Sequence, residues 1–253
     1  MNILVCVKLV AQSTFTDALG DSSGERLSNS ALVMNPTDET ALEYALKLKD
    51  KDKSIKISVI TMAPQSAAQM LQTALAKGAD QAFHICDKAF AGSDTIATVS
   101  VLSRAAALTG TYDLILCGKN SLDSETGHIG PQMAALMGLP FYSNVVDMAS
   151  SSAGLSILRA AGTGFEEYTV NEPAVVSVVN GTCMIRQPSV MGYKLAKGKQ
   201  ILMLDSGDIA PARSGTDTIQ VTEKTFSHRH GVKTDNFAEG ISALSAYIKS
   251  VHS

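Results

Sequence analysis

No two cysteines in this chain stand in CxxC spacing. Cys6, Cys86, Cys117 and Cys183 are widely separated and lie mostly in apolar runs. That excludes a zinc ribbon or a disulfide framework and reads as reduced core thiols of a cytoplasmic protein. Basic residues are also scarce: 21 Lys and Arg against 24 Asp and Glu, for a net charge of −3. Such a balance argues against a nucleic-acid surface. No apolar stretch approaches the ~20 residues that cross a bilayer, so membrane insertion is not expected. The chain passes directly into a strand-like ILVCV at 3–7, without the basic region and cleavage site of a secretory signal. Internal repeats and low-complexity tracts are missing as well. His228 and His230 flank Arg229 in a polar segment with no carboxylate or cysteine company. No metal site is therefore expected.

What is present is a chain of 253 residues, 45% of them hydrophobic, enough for a sizeable core. Apolar runs rich in β-branched residues alternate with helical stripes as far as Pro140. Strands are expected at Ile3–Val7, Ile55–Ile60, Ala82–Cys86 and Leu114–Cys117. Asn35-Pro36-Thr37-Asp38-Glu39 is a helix start, with proline in the first turn and acids behind it. A second helix carries Ala67, Leu71, Ala74 and Leu75 and ends at Gly78. A third, capped at Ser93-Asp94-Thr95, carries Ile96, Val99, Leu102 and Ala106. The fourth bears Ile129, Met133, Leu136 and Met137 and stops at Gly138 and Pro140. This alternation implies an α/β fold with a doubly wound, mostly parallel sheet.

After Pro140 the helical stripes stop. Asn144–Met148, Leu155–Ala160, Glu167–Val170 and Ala174–Val179 read as antiparallel strands that extend the sheet edge. Residues 183–199 look irregular, and 206–227 look like an extended arm. A last helix should start near Asp235, with Phe237, Ile241, Leu244, Ile248 and Val251 on one stripe. The expected division is a nucleotide-binding domain at 1–205 and, at 206–253, an arm and terminal helix that dock on a partner subunit.

The candidate site is the polar loop Gly118–His128, between the strand at 114–117 and the helix at 129. In an open parallel sheet, ligands bind where strand C-termini meet helix N-termini. Free N–H groups and the helix dipole there attract phosphate. Gly118 permits close approach to the main chain, and Ser124 and Thr126 offer hydroxyls. Asp94 fits an N-cap better than a ligand contact, whereas Thr95 and Thr98 sit on the first turn of their helix.

Four stretches in a fixed order, ILVCVK, NPTDETALEYALKLK, TALAKGAD with GKNSLDSETGHIGPQ, and EPAVVSV, resemble the small (beta) subunit of electron-transfer flavoproteins. The likeness runs from Met1 to about Asp208. It implies an adenine nucleotide alpha-hydrolase-like sheet with antiparallel edge strands and a C-terminal arm. It also implies a heterodimer with an FAD-carrying alpha subunit. Ordinary members bind AMP in the beta subunit, and electron-bifurcating members bind a second FAD there. AGSDTIAT at 91–98 and Asp123-x-x-Thr126-x-x-Ile129-Gly130-Pro131 look like the bifurcating pattern. Thr95, Thr98 and Thr126 could then converge on a pyrophosphate that AMP lacks. Carried over by position, the cofactor contacts would be Cys6, Asn35, Thr37, Asp38, Met62 and Asp94 with Thr95 and Thr98. The loop would add Gly118, Lys119, Asn120, Ser121, Leu122, Asp123, Ser124, Glu125, Thr126, Gly127, His128 and Ile129. Residues 183–191 depart from the family's NxPRY pattern, with only Arg186 kept, so the partner dehydrogenase is left open.

Three functions compete. One is a bifurcating electron-transfer subunit, part of a redox complex rather than a stand-alone enzyme, with no catalytic side chain of its own. The resemblance implies that NADH reduces its FAD. One electron then goes to the alpha-subunit FAD and an acyl-CoA dehydrogenase-type or other redox partner, the other to ferredoxin or flavodoxin. A second is the non-bifurcating subunit with structural AMP. A third is a non-redox adenine-nucleotide sensor, which would need neither the EPAVVSV strand nor the arm.

Overall fold

The computed structural model describes residues 1–11, 32–216 and 234–251. Contacts divide the chain into two units, Met1–Asp217 and Thr218–Ser253. Strand β1 (Asn2–Cys6) is the axis of the first unit. A short β2 (Leu9–Ala11) follows it and pairs antiparallel with β3 (Leu32–Met34) in a small separate sheet. Helix α1 (Pro36–Lys51) then leads to β4 (Lys56–Met62), α2 (Ala68–Lys77), β5 (Gln81–Ile85), α3 (Thr95–Thr109) and β6 (Leu114–Gly118). Next come α4 (Ile129–Met137), β7 (Phe141–Ser151), β8 (Gly154–Ala161), β9 (Gly164–Val170) and β10 (Ala174–Val178). The first unit closes with α5 (Val190–Ala196) and β11 (Ile201–Leu204).

The nine-stranded sheet runs β11-β5-β4-β1-β6-β10-β7-β8-β9. Every pairing from β11 to β7 is parallel, and the last two are antiparallel. Inner strands are buried on both faces, which is why β1, β4, β6 and β10 read as nearly unbroken apolar runs. Residues of α1 and α2 pack over one face with Ile3, Val5, Ile57 and Val59. Those of α3 and α4 pack over the other with Leu4, Ile60, Phe83 and Ile115. Chain order reverses at β1, so a crevice opens at its C-terminal end between β4 and β6.

The fold differs from expectation in several places. The EPAVVSV strand is not an antiparallel edge. As β10 it lies between β6 and β7, parallel to both, because all five of its residues are buried. Leu9–Ala11 forms a strand that the local pattern did not announce. The irregular 183–199 contains α5, whose Tyr193 hydroxyl reaches Thr73 of α2 at 3.4 Å. Finally, the first residues of the expected arm pack on the first unit. Ser206 donates to Asp87, Ile209 is buried, and the Ala210 carbonyl accepts from Arg104 at 3.0 Å.

In the second unit, helix α6 (Phe237–Val251) exposes Phe237, Ile241, Leu244, Tyr247 and Ile248 along one stripe. The Val251 side chain and the segment holding His228, Arg229 and His230 lie outside the described residues. No helix among the described residues is long and apolar enough to cross a membrane.

Candidate functional site

The crevice beside β1 is a cleft of about 780 Å³, within the ~300–1,000 Å³ of ligand sites. Its floor is apolar: Cys6 from β1, Ile60 and Met62 from β4, Phe90, Leu102 of α3, and Cys117 of β6. Two helix starts form its polar walls. Thr95 and Thr98 stand on the first turn of α3, and the loop from Gly118 to Ile129 leads into α4.

The floor is electrically quiet. Burial, helped by the Asp38 charge, pushes the Cys6 thiol up to about 12. Burial first, then the neighbouring Cys6 and Asp38, push Cys117 up as well. Both thiols stay protonated and unreactive at neutral pH. Cys6 Sγ lies 3.9 Å from Met133 Sδ of α4, so this end of the floor is soft and polarizable.

Several expected contacts prove to build the site as well as line it. Asp38, in the first turn of α1, accepts from the Lys8 N–H at 2.8 Å and the Gly118 N–H at 2.9 Å. It thereby ties together the ends of β1 and β6. Burial pushes its carboxyl up to about 7 against the pull of those two N–H groups. Gly118 is needed for this clasp: a Cβ there would collide with Thr37 Oγ1 and the Asp38 carboxylate. The close approach that demands glycine is that of the α1 start. Asn35 caps α1 by position only. Its amide reaches Thr37 Oγ1 at 2.7 Å and the Asn120 carbonyl at 2.9 Å, and its Oδ1 accepts from Leu122 N–H. Thr37 also donates to the Asn120 carbonyl. Together Asn35 and Thr37 hang the β6–α4 loop on α1.

The rest of that loop is held by charge. Lys8 Nζ meets the Asp123 carboxylate at 2.6 Å, and Ser121 bonds both Asp123 and Ser124. Partial burial works against the Asp123 charge, yet the Lys8 and Ser121 bonds outweigh it and hold the carboxyl below its usual value. Glu125 and Gly127 take positive φ, folding the loop back so that His128 can precede α4. Gly130 lets α4 lie on the sheet, since a Cβ there would sit 2.8 Å from Phe141 and 3.0 Å from Cys117 Sγ.

At the other wall, Asp94 caps α3 through the Ala97 N–H at 2.8 Å, and Gly215 and Thr216 donate to its second oxygen. The Ala97 N–H above all holds this carboxyl below its usual value. Both oxygens are engaged by the chain, so Asp94 positions the wall. Residues 214–216 form a strap over the α3 start, and Thr216 joins the cleft lining.

Of the expected residues, the cleft gathers Cys6, Asn35, Asp38, Met62, Asp94, Thr95, Thr98, Gly118, Lys119, Asn120, Ser121, Ser124, Thr126, Gly127, His128 and Ile129. Thr37, Leu122, Asp123 and Glu125 stand behind or outside it. Sequence reasoning passed over Lys8, Phe90, Leu102, Cys117, Gln132 and Thr216 as site residues, although all six line the cleft. Lys8 at the end of the first strand, and Gln132 one turn into α4, carried positional signals. Thr216 carried none, because nothing local announces its return to α3.

An apolar floor between two helix starts can take a planar ring with a phosphate-bearing chain. Residues 28–202 match the electron transfer flavoprotein domain family. The electron transfer flavoprotein subunit beta of Megasphaera elsdenii is 34% identical over 83% of this chain and 80% of its own. That of Thermoanaerobacterium thermosaccharolyticum is 30% identical over 100% of this chain and 99% of its own. The caffeyl-CoA reductase-Etf complex subunit CarD of Acetobacterium woodii is 31% identical over 83% and 80%. With the sheet, the cleft and these relatives in agreement, the chain belongs to the electron transfer flavoprotein family, as a beta subunit.

Proposed function

We propose that the cleft binds FAD and that the chain works as the small subunit of a heterodimer with an FAD-bearing alpha subunit, splitting the electrons of NADH between two acceptors. The observation that carries this reading is the pair of helix starts facing one cavity, with Thr95 and Thr98 on one side and Thr126 on the other. A dinucleotide has two phosphates to place against them, whereas AMP has one. The apolar floor suits an isoalloxazine ring. The flavin supplies the redox chemistry. The chain's own residues bind it, orient it and exclude water, and none need act as acid, base or nucleophile. Ferredoxin or flavodoxin would take one electron. The other would pass through the alpha subunit to a reductase of acyl-CoA type, in keeping with the complex named for the Acetobacterium relative.

The test is flavin and AMP quantitation on the purified heterodimer after the ligands are released by denaturation. Two FAD per dimer supports the reading. One FAD with one AMP makes the chain a non-bifurcating subunit, and nucleotide without flavin removes the redox role altogether.

A further inference from the structure

Gln132 sits one turn into α4 and reaches across to α3, where its Nε2 lies 3.3 Å from Thr95 Oγ1. It thus connects the two walls of the cleft, and it lines the cavity itself. Its other amide atom, Oε1, is buried and finds no hydrogen-bond partner among the described residues. A buried acceptor left without a donor is costly, and native interiors rarely tolerate it. Thr95 has the complementary property. A hydroxyl carries one proton and two lone pairs. Gln132 N–H occupies a lone pair, so the proton of Thr95 is left to be donated elsewhere. No acceptor for it appears among the described residues.

Building on the proposed function, we infer that Gln132 is a specificity-determining residue for the cofactor. Its N–H turns the Thr95 proton toward a phosphate oxygen of the ligand. Its carbonyl oxygen accepts from a hydroxyl that the ligand carries close to that phosphate. The ligand chemistry that satisfies both atoms is a polyol diphosphate ester, a sugar-alcohol chain esterified to a diphosphate, as in the ribityl arm of a flavin dinucleotide. A lone monophosphate held at the α4 start would use neither atom. The geometry also explains why a neutral amide stands here. An ionised carboxylate has no proton to give, so it would draw the Thr95 proton to itself and away from the ligand.

The test is equilibrium titration of the ligand-stripped heterodimer with FAD, ADP and AMP. The variants are Gln132→Met, Gln132→Glu, Thr95→Val, Thr95→Ser and Gln132→Met with Thr95→Val. Methionine keeps the volume and removes both hydrogen-bonding atoms. Gln132→Met should weaken FAD about tenfold to a hundredfold, ADP by a smaller factor, and AMP not at all. Gln132→Glu should weaken FAD at least as much. Thr95→Ser should bind FAD as wild type does. Because Gln132 acts partly through Thr95, the double variant should lose less than the product of the two single losses. Wild-type FAD affinity in Gln132→Met overturns the inference while leaving FAD as the cofactor. So does an equal loss for FAD and AMP, which would mark a general collapse of the wall. A wild-type cleft that takes AMP and refuses FAD overturns both this inference and the function on which it rests.

Discussion

Replacing Asp38 by asparagine should reverse sign with pH. The carboxyl is buried and titrates near 7 in the folded chain, against an ordinary value of 3.8. Between those values the folded chain holds a proton that the unfolded chain has released. Its contribution to stability is therefore complete below pH 4 and is lost as the pH rises through 7. At ~1.36 kcal/mol per pH unit, the full span is worth about 4 kcal/mol, and the part between pH 5 and 7 about 3 kcal/mol. Asparagine keeps the shape and does not titrate. Its amide can accept from one of the Lys8 and Gly118 N–H groups but must present N–H to the other. That forfeits a buried hydrogen bond worth ~1–3 kcal/mol. The variant should thus melt below wild type at pH 5 and draw level with it or pass it at pH 8. For a unit of this size, ~3 kcal/mol corresponds to a relative swing of roughly 6–12 °C. The assay is the melting midpoint of the purified complex from pH 5 to 8, taken as variant minus wild type so that the shared titrations cancel. A difference that stays flat across the range would show that Asp38 is already ionised at pH 5 and that its two N–H bonds outweigh burial.

Three further outcomes are expected. Thr95→Val combined with Thr126→Val removes hydroxyls that donate to charged phosphate, at ~1.5–3 kcal/mol each. The loss is on the order of 3–6 kcal/mol as an upper sum, so the dialysed double variant should shed FAD while keeping AMP; full FAD stoichiometry would leave the AMP-binding role as the better account. Asp94→Ala removes both the α3 cap and the anchor of residues 214–216, so the melting point should fall and FAD should dissociate faster than from wild type; an unchanged dissociation rate would mean that the strap is no part of the ligand wall. Removal of residues 218–253 deletes the unit whose helix exposes Phe237, Leu244 and Tyr247, and should weaken association with the alpha subunit, which size-exclusion chromatography reads directly as a shift to later elution.

Local pattern was sufficient wherever the physics is local. Strands β1, β4, β5 and β6 announce themselves as short apolar runs. Helices α1 to α4 announce themselves by stripe, cap and stop residue, because burial on a sheet face imposes those periods. Helix α5 escaped notice: seven residues, VMGYKLA, give too few turns for a stripe and contain a glycine. Strand β11, the run ILML, escaped notice as well. The AVVSV run signalled a strand and was expected at an antiparallel edge, but the same run fits an edge or a centre, and only the packing of β6 and β7 placed it between them.

The sequence by itself determined the class of fold, the family and the loop that borders the cleft, since each rests on residues adjacent in the chain. Tertiary structure alone decided the roles within the site. Asp38 meets Lys8 from 30 positions away and Gly118 from 80, and Thr216 returns to Asp94 across 122. Those meetings depend on strand order and register, which no local period encodes. For that reason Asp38 and Asn35, which local pattern marks only as parts of a helix start, turn out to be the framework of the cleft. The same holds for Gln132, which reads as one more polar position on α4 until the sheet brings Thr95 across from it.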